Sequence, residues 1–157
     1  MLNKIILYLI VISSLFACNN NVFYESNLKI PEQVWESDKA AVFDFNINDT
    51  SQIFNLFIDI LNTNDYRNSN LWLFVYTSSE IGKIAADTLE YTLADGKGKW
   101  LGKKDGDVHI NNFVYKANIK FPKKGKYTVE IIQGMRDLKL KGIKQVGFKI
   151  KKQSGKK

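Results

Sequence analysis

The stretch Leu71-Trp72-Leu73-Phe74-Val75-Tyr76-Thr77, "LWLFVYT", decides the fold class. Leu71, Leu73 and Val75 fall on one face of an extended chain, and Trp72, Phe74 and Tyr76 fall on the other. The run is short, aromatic and followed by polar residues, which favours a strand over a helix. Apolar side chains on both faces suit a central strand covered on both sides.

Working outward, the same period of two recurs. Phe43, Phe45 and Ile47 alternate with Asp44 and Asn46 in "AVFDFNIN". Phe54, Leu56, Ile58 and Ile60 alternate with Asn55 and Asp59 in "IFNLFIDIL". Further alternation runs through "TLEYTL", "NFVYKANIKF", "YTVEII" and "VGFKIKK". Polar turn sequences such as "NDTSQ", "NTNDYRNSN" and "PKKGK" separate the runs. The expectation is an all-β, antiparallel β-sandwich of about seven to eight strands in a single domain, with a small barrel as its main competitor. A short helical turn near "QGMRDL" is also compatible with the sequence.

The first eighteen residues, "MLNKIILYLIVISSLFAC", are of another kind. One charge, Lys4, precedes an apolar run ending in Leu15-Phe16-Ala17-Cys18. The apolar part is shorter than the ~20 residues that span a bilayer, and it has the layout of a secretory signal. Leu15-x-Ala17-Cys18 resembles a bacterial lipobox, in which the cysteine thiol takes a diacylglycerol and cleavage makes that cysteine the first residue. Two or three acyl chains anchor a protein stably, whereas one is marginal. The expected organisation is a lipoprotein signal peptide at 1–17, a lipid-anchored tether at 18–33, the sandwich at 34–152 and a basic tail at 153–157. Cys18 is the only cysteine, so lipidation would leave no thiol for a disulfide or a metal. The absence of an acidic cluster after Cys18 points to a periplasm-facing domain in the cell envelope.

The formal net charge is +7, carried almost wholly by lysine; Arg67 and Arg136 are the only arginines. Lysine, asparagine and isoleucine together are what an A+T-rich genome encodes, and arginine forks for phosphate recognition are scarce. Nucleic acid is therefore not an expected partner. The lysine-rich tail either frays in solvent or touches anionic headgroups.

Reactive clusters are sparse. A single histidine, His109, reads as a surface residue at a strand start, and it supports neither a Cys/His pair nor a multi-histidine metal site. Asp105 and Asp107 lack the further acids of a calcium loop. Gly96 and Gly98 in "GKGKWLGKK" do not fit the phosphate-loop spacing. No cofactor, metal or small-molecule substrate is expected, and the protein reads as a non-enzyme. Trp100 either plugs the edge of the core or belongs to a binding surface. Trp72, Phe74 and Tyr76 would form an aromatic platform if the second sheet leaves their face uncovered.

"NTNDYRNSNLWLFV", "DTLEYTLADGKGKWLGKKDGDV" and "FPKKGKYTVEIIQGMRDLKLKGIKQVGFKI" resemble, in order and spacing, the gliding motility lipoprotein GldH family. The most specific pieces are "DTLEY…LAD…GKWLG…GD" and the Met135-Arg136 segment leading to Gly142-Ile143 and Val146-Gly147. Thr92 stands where proline is common in the family, and Gly134 where alanine is common. The resemblance implies an envelope lipoprotein supporting gliding in Bacteroidetes-like bacteria, acting with machinery that overlaps adhesin secretion. It carries over no catalytic residue. The leading expectation is a lipid-anchored sandwich that docks partner proteins, with Cys18 as the lipid site and Trp100, Arg136, Trp72 and Tyr76 as candidate contact residues. The alternative is a carbohydrate-binding envelope lipoprotein using an aromatic face, and a hydrolase comes third.

Overall fold

A computed structural model describes residues 21–153 of the chain. Its strands, in order, are β1 (Val22–Lys29), β2 (Val34–Glu36), β3 (Ala41–Ile47), β4 (Phe54–Thr63), β5 (Asn70–Ser79) and β6 (Gly82–Thr92). They continue with β7 (Lys103–Asp105), β8 (Val108–Ile119), β9 (Gly125–Gln133), β10 (Lys139–Lys141) and β11 (Ile143–Lys152). One 3₁₀ turn, Pro31–Gln33, interrupts them. The signal peptide, Cys18 and the end of the tail fall outside the described residues.

Two antiparallel sheets form the sandwich, one ordered β1-β11-β4-β8-β7 and the other β3-β9-β5-β6. A small ribbon of β2 and β10 closes one end. The period-two pattern determines what faces in. Phe54, Leu56, Ile58 and Ile60 of β4, with Val146, Phe148 and Ile150 of β11, are buried against Phe43 and Phe45 of β3 and Leu71, Leu73 and Val75 of β5. Burying each such side chain contributes about 1.5–3 kcal/mol. Aromatic rings knit the two layers: Phe148 of β11 meets Phe43 across the interface at 5.8 Å and stacks on Phe45 at 6.0 Å.

The fold class is as the alternation implies, and the strand count is higher for two reasons. Three strands, β2, β7 and β10, are only three residues long, too short to show a period. The fourth addition is a correction. Residues 22–29, expected to be tether, form β1, an edge strand paired with β11. Its alternation is hidden because the register shifts between Val22 and Tyr24. Phe23 and Tyr24 are adjacent in sequence, yet Phe23 packs on Phe54 and Tyr24 on Phe45. "QGMRDL" holds no helix; the segment after β9 is a bend organised by the Gln133 side chain.

The outer faces of the two sheets differ in chemistry. On the β11–β4 face, Lys149 reaches Glu25 at 2.9 Å and Asp59 at 3.2 Å, and Asn112 also bonds Asp59. Gly147 makes room for this network, since a Cβ there would strike the Asn27 side chain and press on Asp59. The part of that face around Asp59 and Lys149 is charged. The outer face of the other sheet is aromatic.

Candidate functional site

Strand β5 is hydrogen-bonded to β9 on one side and β6 on the other, so it is central within its sheet. Only one of its faces is covered. Trp72 and Phe74 are 38% and 37% exposed, and Tyr76 is half-buried. The expectation of a strand buried on both faces is thus corrected: Leu71, Leu73 and Val75 fill the core, and the three aromatics look outward. The physical reason is layer count. A two-layer sandwich has no third layer to cover this side. Spaced two residues apart, the rings stand ~7 Å from one another along the strand. Ile132 of β9 lies directly beside Phe74, and Thr88 and Ala86 of β6 flank Phe74 and Tyr76 with small side chains. The Lys83 ammonium sits over the Tyr76 ring at 5.1 Å.

The segment after β9 is strapped to the start of this row. Gly134 N–H donates to the Trp72 carbonyl at 2.7 Å, and Trp72 N–H donates to Met135 Sδ at 3.3 Å. Gln133 Oε1 accepts from Met135 N–H, and Gln133 Nε2 donates to the Asp137 carbonyl. Gly134 fits beneath the aromatics: a Cβ there would lie 3.1 Å from the Phe74 ring and 3.3 Å from Trp72 Cβ. Arg136 is held just beyond, exposed, and forms no ion pair among the described residues. The fold therefore brings Trp72 and Arg136 into one neighbourhood, with Tyr76 further along the same row.

Trp100 does not join them. It follows a tight turn in which the Asp95 carboxylate accepts backbone N–H groups of Lys99 and Lys97, both at 2.9 Å. Those two bonds hold the Asp95 carboxyl below its ordinary pKa. Gly98 takes the left-handed conformation the turn requires, with φ +79°. The Trp100 indole then packs inward, against Tyr66 and flat against His109. Its Nε1–H donates to Asn64 Oδ1 at 3.1 Å.

His109 does begin a strand, as its position suggests, but it is buried and not at the surface. The Trp100 ring covers it, and Asn64 Oδ1 lies 3.0 Å from its Nε2. Because that oxygen is an acceptor, the network assigns the ring proton to Nε2. Asn111 and Asn62 continue the buried polar cluster next to it. The two acids of "DGD" do not converge: Asp107 pairs with Lys144 at 3.4 Å, while Asp105 is exposed on β7.

Phe74, Ile132 and Met135 complete the face; the alternation already places Phe74 on a conditional platform with Trp72 and Tyr76, whereas Ile132 and Met135 carry no such signal in the sequence. Phe74 was visible in the alternation, but which side of β5 is covered depends on the partner sheet. Met135 and Ile132 reach the row only through the β5–β9 pairing.

Residues 22–150 match the family described as GldH lipoprotein. A gliding motility lipoprotein GldH homolog of Christiangramia forsetii is 37% identical over 95% of this chain and 95% of its own length. The gliding motility lipoprotein GldH of Flavobacterium johnsoniae is 33% identical over 87% of this chain and 88% of its own. Among solved structures, dimeric latent PorU from Porphyromonas gingivalis aligns with 82% of this chain at a TM-score of 0.34 and 7% identity. The aligned part is 13% of that much longer chain, and so weak a likeness carries no functional weight.

Proposed function

The chain belongs to the GldH lipoprotein family, linked to gliding motility, and from that premise we propose that it works by docking partner proteins of the gliding and associated secretion machinery. In this reading Cys18 is the acylated first residue, the domain faces the periplasm, and the protein performs no catalysis. Among the described residues, no helix is long and apolar enough to cross a membrane.

The observation that carries the proposal is the outward row Trp72, Phe74 and Tyr76, with Arg136 at its end. Aromatic and arginine side chains dominate the energetics of protein interfaces. An arginine without an internal partner is free to make a two-pronged bond to a carboxylate. Trp100 serves the site differently, by bracing the end of the sandwich from which these loops project.

One feature also suits the carbohydrate alternative, since adjacent exposed rings are a stacking surface for sugar. Chemical crosslinking in native membranes, followed by affinity capture, separates the two. Crosslinks to gliding or secretion proteins support the docking role. Recovery of envelope glycan without such proteins supports the sugar role and overturns docking.

A further inference from the structure

We propose that the pole of the sandwich where β1 begins is a contact surface for anionic lipid headgroups, holding the domain upright over its own anchor. The inference rests on acylation at Cys18, and it adds an orientation that the anchor alone does not supply.

The topology gathers five chain segments at this pole. Lys152 N–H donates to the Asn21 carbonyl, and Gln153 N–H to the Ile53 carbonyl, tying the start of the domain, the β3–β4 turn and the end of β11 together. The β8–β9 connection and the β5–β6 hairpin lie beside them, because Ile47 pairs with Gly125 and Ser79 with Tyr127. Only two residues, Asn19 and Asn20, separate Cys18 from Asn21, a reach of about 11 Å at full extension. An acyl chain on Cys18 would thus keep this pole, and not the opposite one, at the membrane.

Its charge is one-sided. Lys83, Lys120, Lys123, Lys124, Lys151 and Lys152 belong to these segments, and Lys126 beside them is held by Asp44 at 3.0 Å. The acids in the same turns are Asp49 and Glu80, and Asp49 is occupied with Ser51. The opposite pole mixes its signs, with Asp65, Asp95 and Asp137 among Arg67, Lys99 and Lys139. Apolar surface accompanies the basic charge. Ile81, at the tip of the β5–β6 hairpin, is 70% exposed and lines a small cleft with Lys123, Lys124 and Lys126. Lysines around an exposed apolar tip match the boundary between headgroups and acyl chains. A domain seated this way would lift Arg136 and the Trp72 end of the aromatic row away from the bilayer, where a partner can reach them.

The test uses the mature protein purified from membranes and reconstituted into vesicles, either of phosphatidylcholine alone or with about a third phosphatidylglycerol. Backbone hydrogen exchange is followed by mass spectrometry, and the N-terminal peptide is weighed in the same samples. The expected result is an acylated Cys18 and roughly fivefold slower exchange at residues 79–83 and 120–126 in the anionic vesicles, with 64–69 and 134–138 unchanged. The charge-reversed variant Lys123→Glu/Lys124→Glu/Lys152→Glu should stay acylated and lose that protection. Acylated protein whose exchange ignores lipid charge, or is protected at 134–138 instead, overturns the orientation alone. An unmodified Cys18 overturns the anchoring on which it rests.

Discussion

The Trp100 indole lies flat on the His109 imidazole, ring centres 5.2 Å apart, and both rings converge on Asn64 Oδ1. This contact makes Trp100 a brace for the end of the sandwich. Trp100→Ala removes the cover of a buried histidine and leaves Asn64 with one donor fewer. Stability should fall by about 2 kcal/mol, below the range for a fully buried tryptophan because part of the ring is exposed. Trp100→Phe should recover more than half of the loss. Denaturant midpoints measure both. An unchanged midpoint with lost partner capture would make Trp100 a contact residue instead.

The outward row predicts the opposite behaviour. Trp72→Ser/Tyr76→Ser changes side chains that contribute little to the core, so the folded state should lose no more than about 1 kcal/mol. Partner capture from native membranes should fall to background. Retained capture with intact stability would remove these two residues from the interface.

Two glycines should separate cleanly. Gly142 sits at φ +87°, and a Cβ there would collide with the backbone of Tyr66. Gly142→Ala should cost at least about 3 kcal/mol, combining left-handed strain with a displaced loop. Gly134→Ala meets the edge of the exposed Phe74 ring and Trp72 Cβ, neither closer than 3.1 Å, so a shift of a few tenths of an ångström accommodates it. It should stay within about 1 kcal/mol of the parent. Thermal unfolding of the two variants side by side checks the contrast.

The pH profile follows from two ion-paired groups, Asp87 and Lys149. For Asp87, burial works against ionisation, but hydrogen bonds from Lys116 and Tyr115 outweigh it, so its carboxyl lies below the ordinary value. A depressed carboxylate stabilises the fold above its unfolded pKa, and that contribution is lost as pH falls through the folded value. For Lys149, burial is outweighed by Glu25 and Asp59, and its ammonium is held above the ordinary value. That contribution is complete below the ordinary lysine value and is lost as pH rises through the raised one. Asp87→Asn should therefore flatten the loss of stability below about pH 4, and Lys149→Met the loss on the alkaline side above about pH 10. Urea midpoints across pH would show each change on its own flank.

Much of this was legible in the residues. The strands β3, β4, β5, β9 and β11 announce themselves because each buries one face, and burial imposes a period of two. β1 does not, because its bulge puts neighbouring aromatics on one core. The alternation leaves the aromatic row two alternatives, and only the absence of a third layer over β5 among the described residues chooses between them. Trp100 likewise offers two readings in the sequence, and its contacts with Asn64, thirty-six residues away, and His109 come from pairing that no local pattern encodes. The Gly142 and Gly147 motifs carried the family resemblance, but their roles, against Tyr66 and Asn27, need the assembled fold.

The central claim is that the β5 face meets a protein. A photo-crosslinking amino acid placed at Phe74, with a matched one at exposed Val114 on the other sheet, tests it in living cells. Mass spectrometry of the adducts should identify a protein of the gliding or secretion machinery at position 74 and not at position 114. Adducts only to glycan at 74, or the same protein partners from both positions, would contradict it.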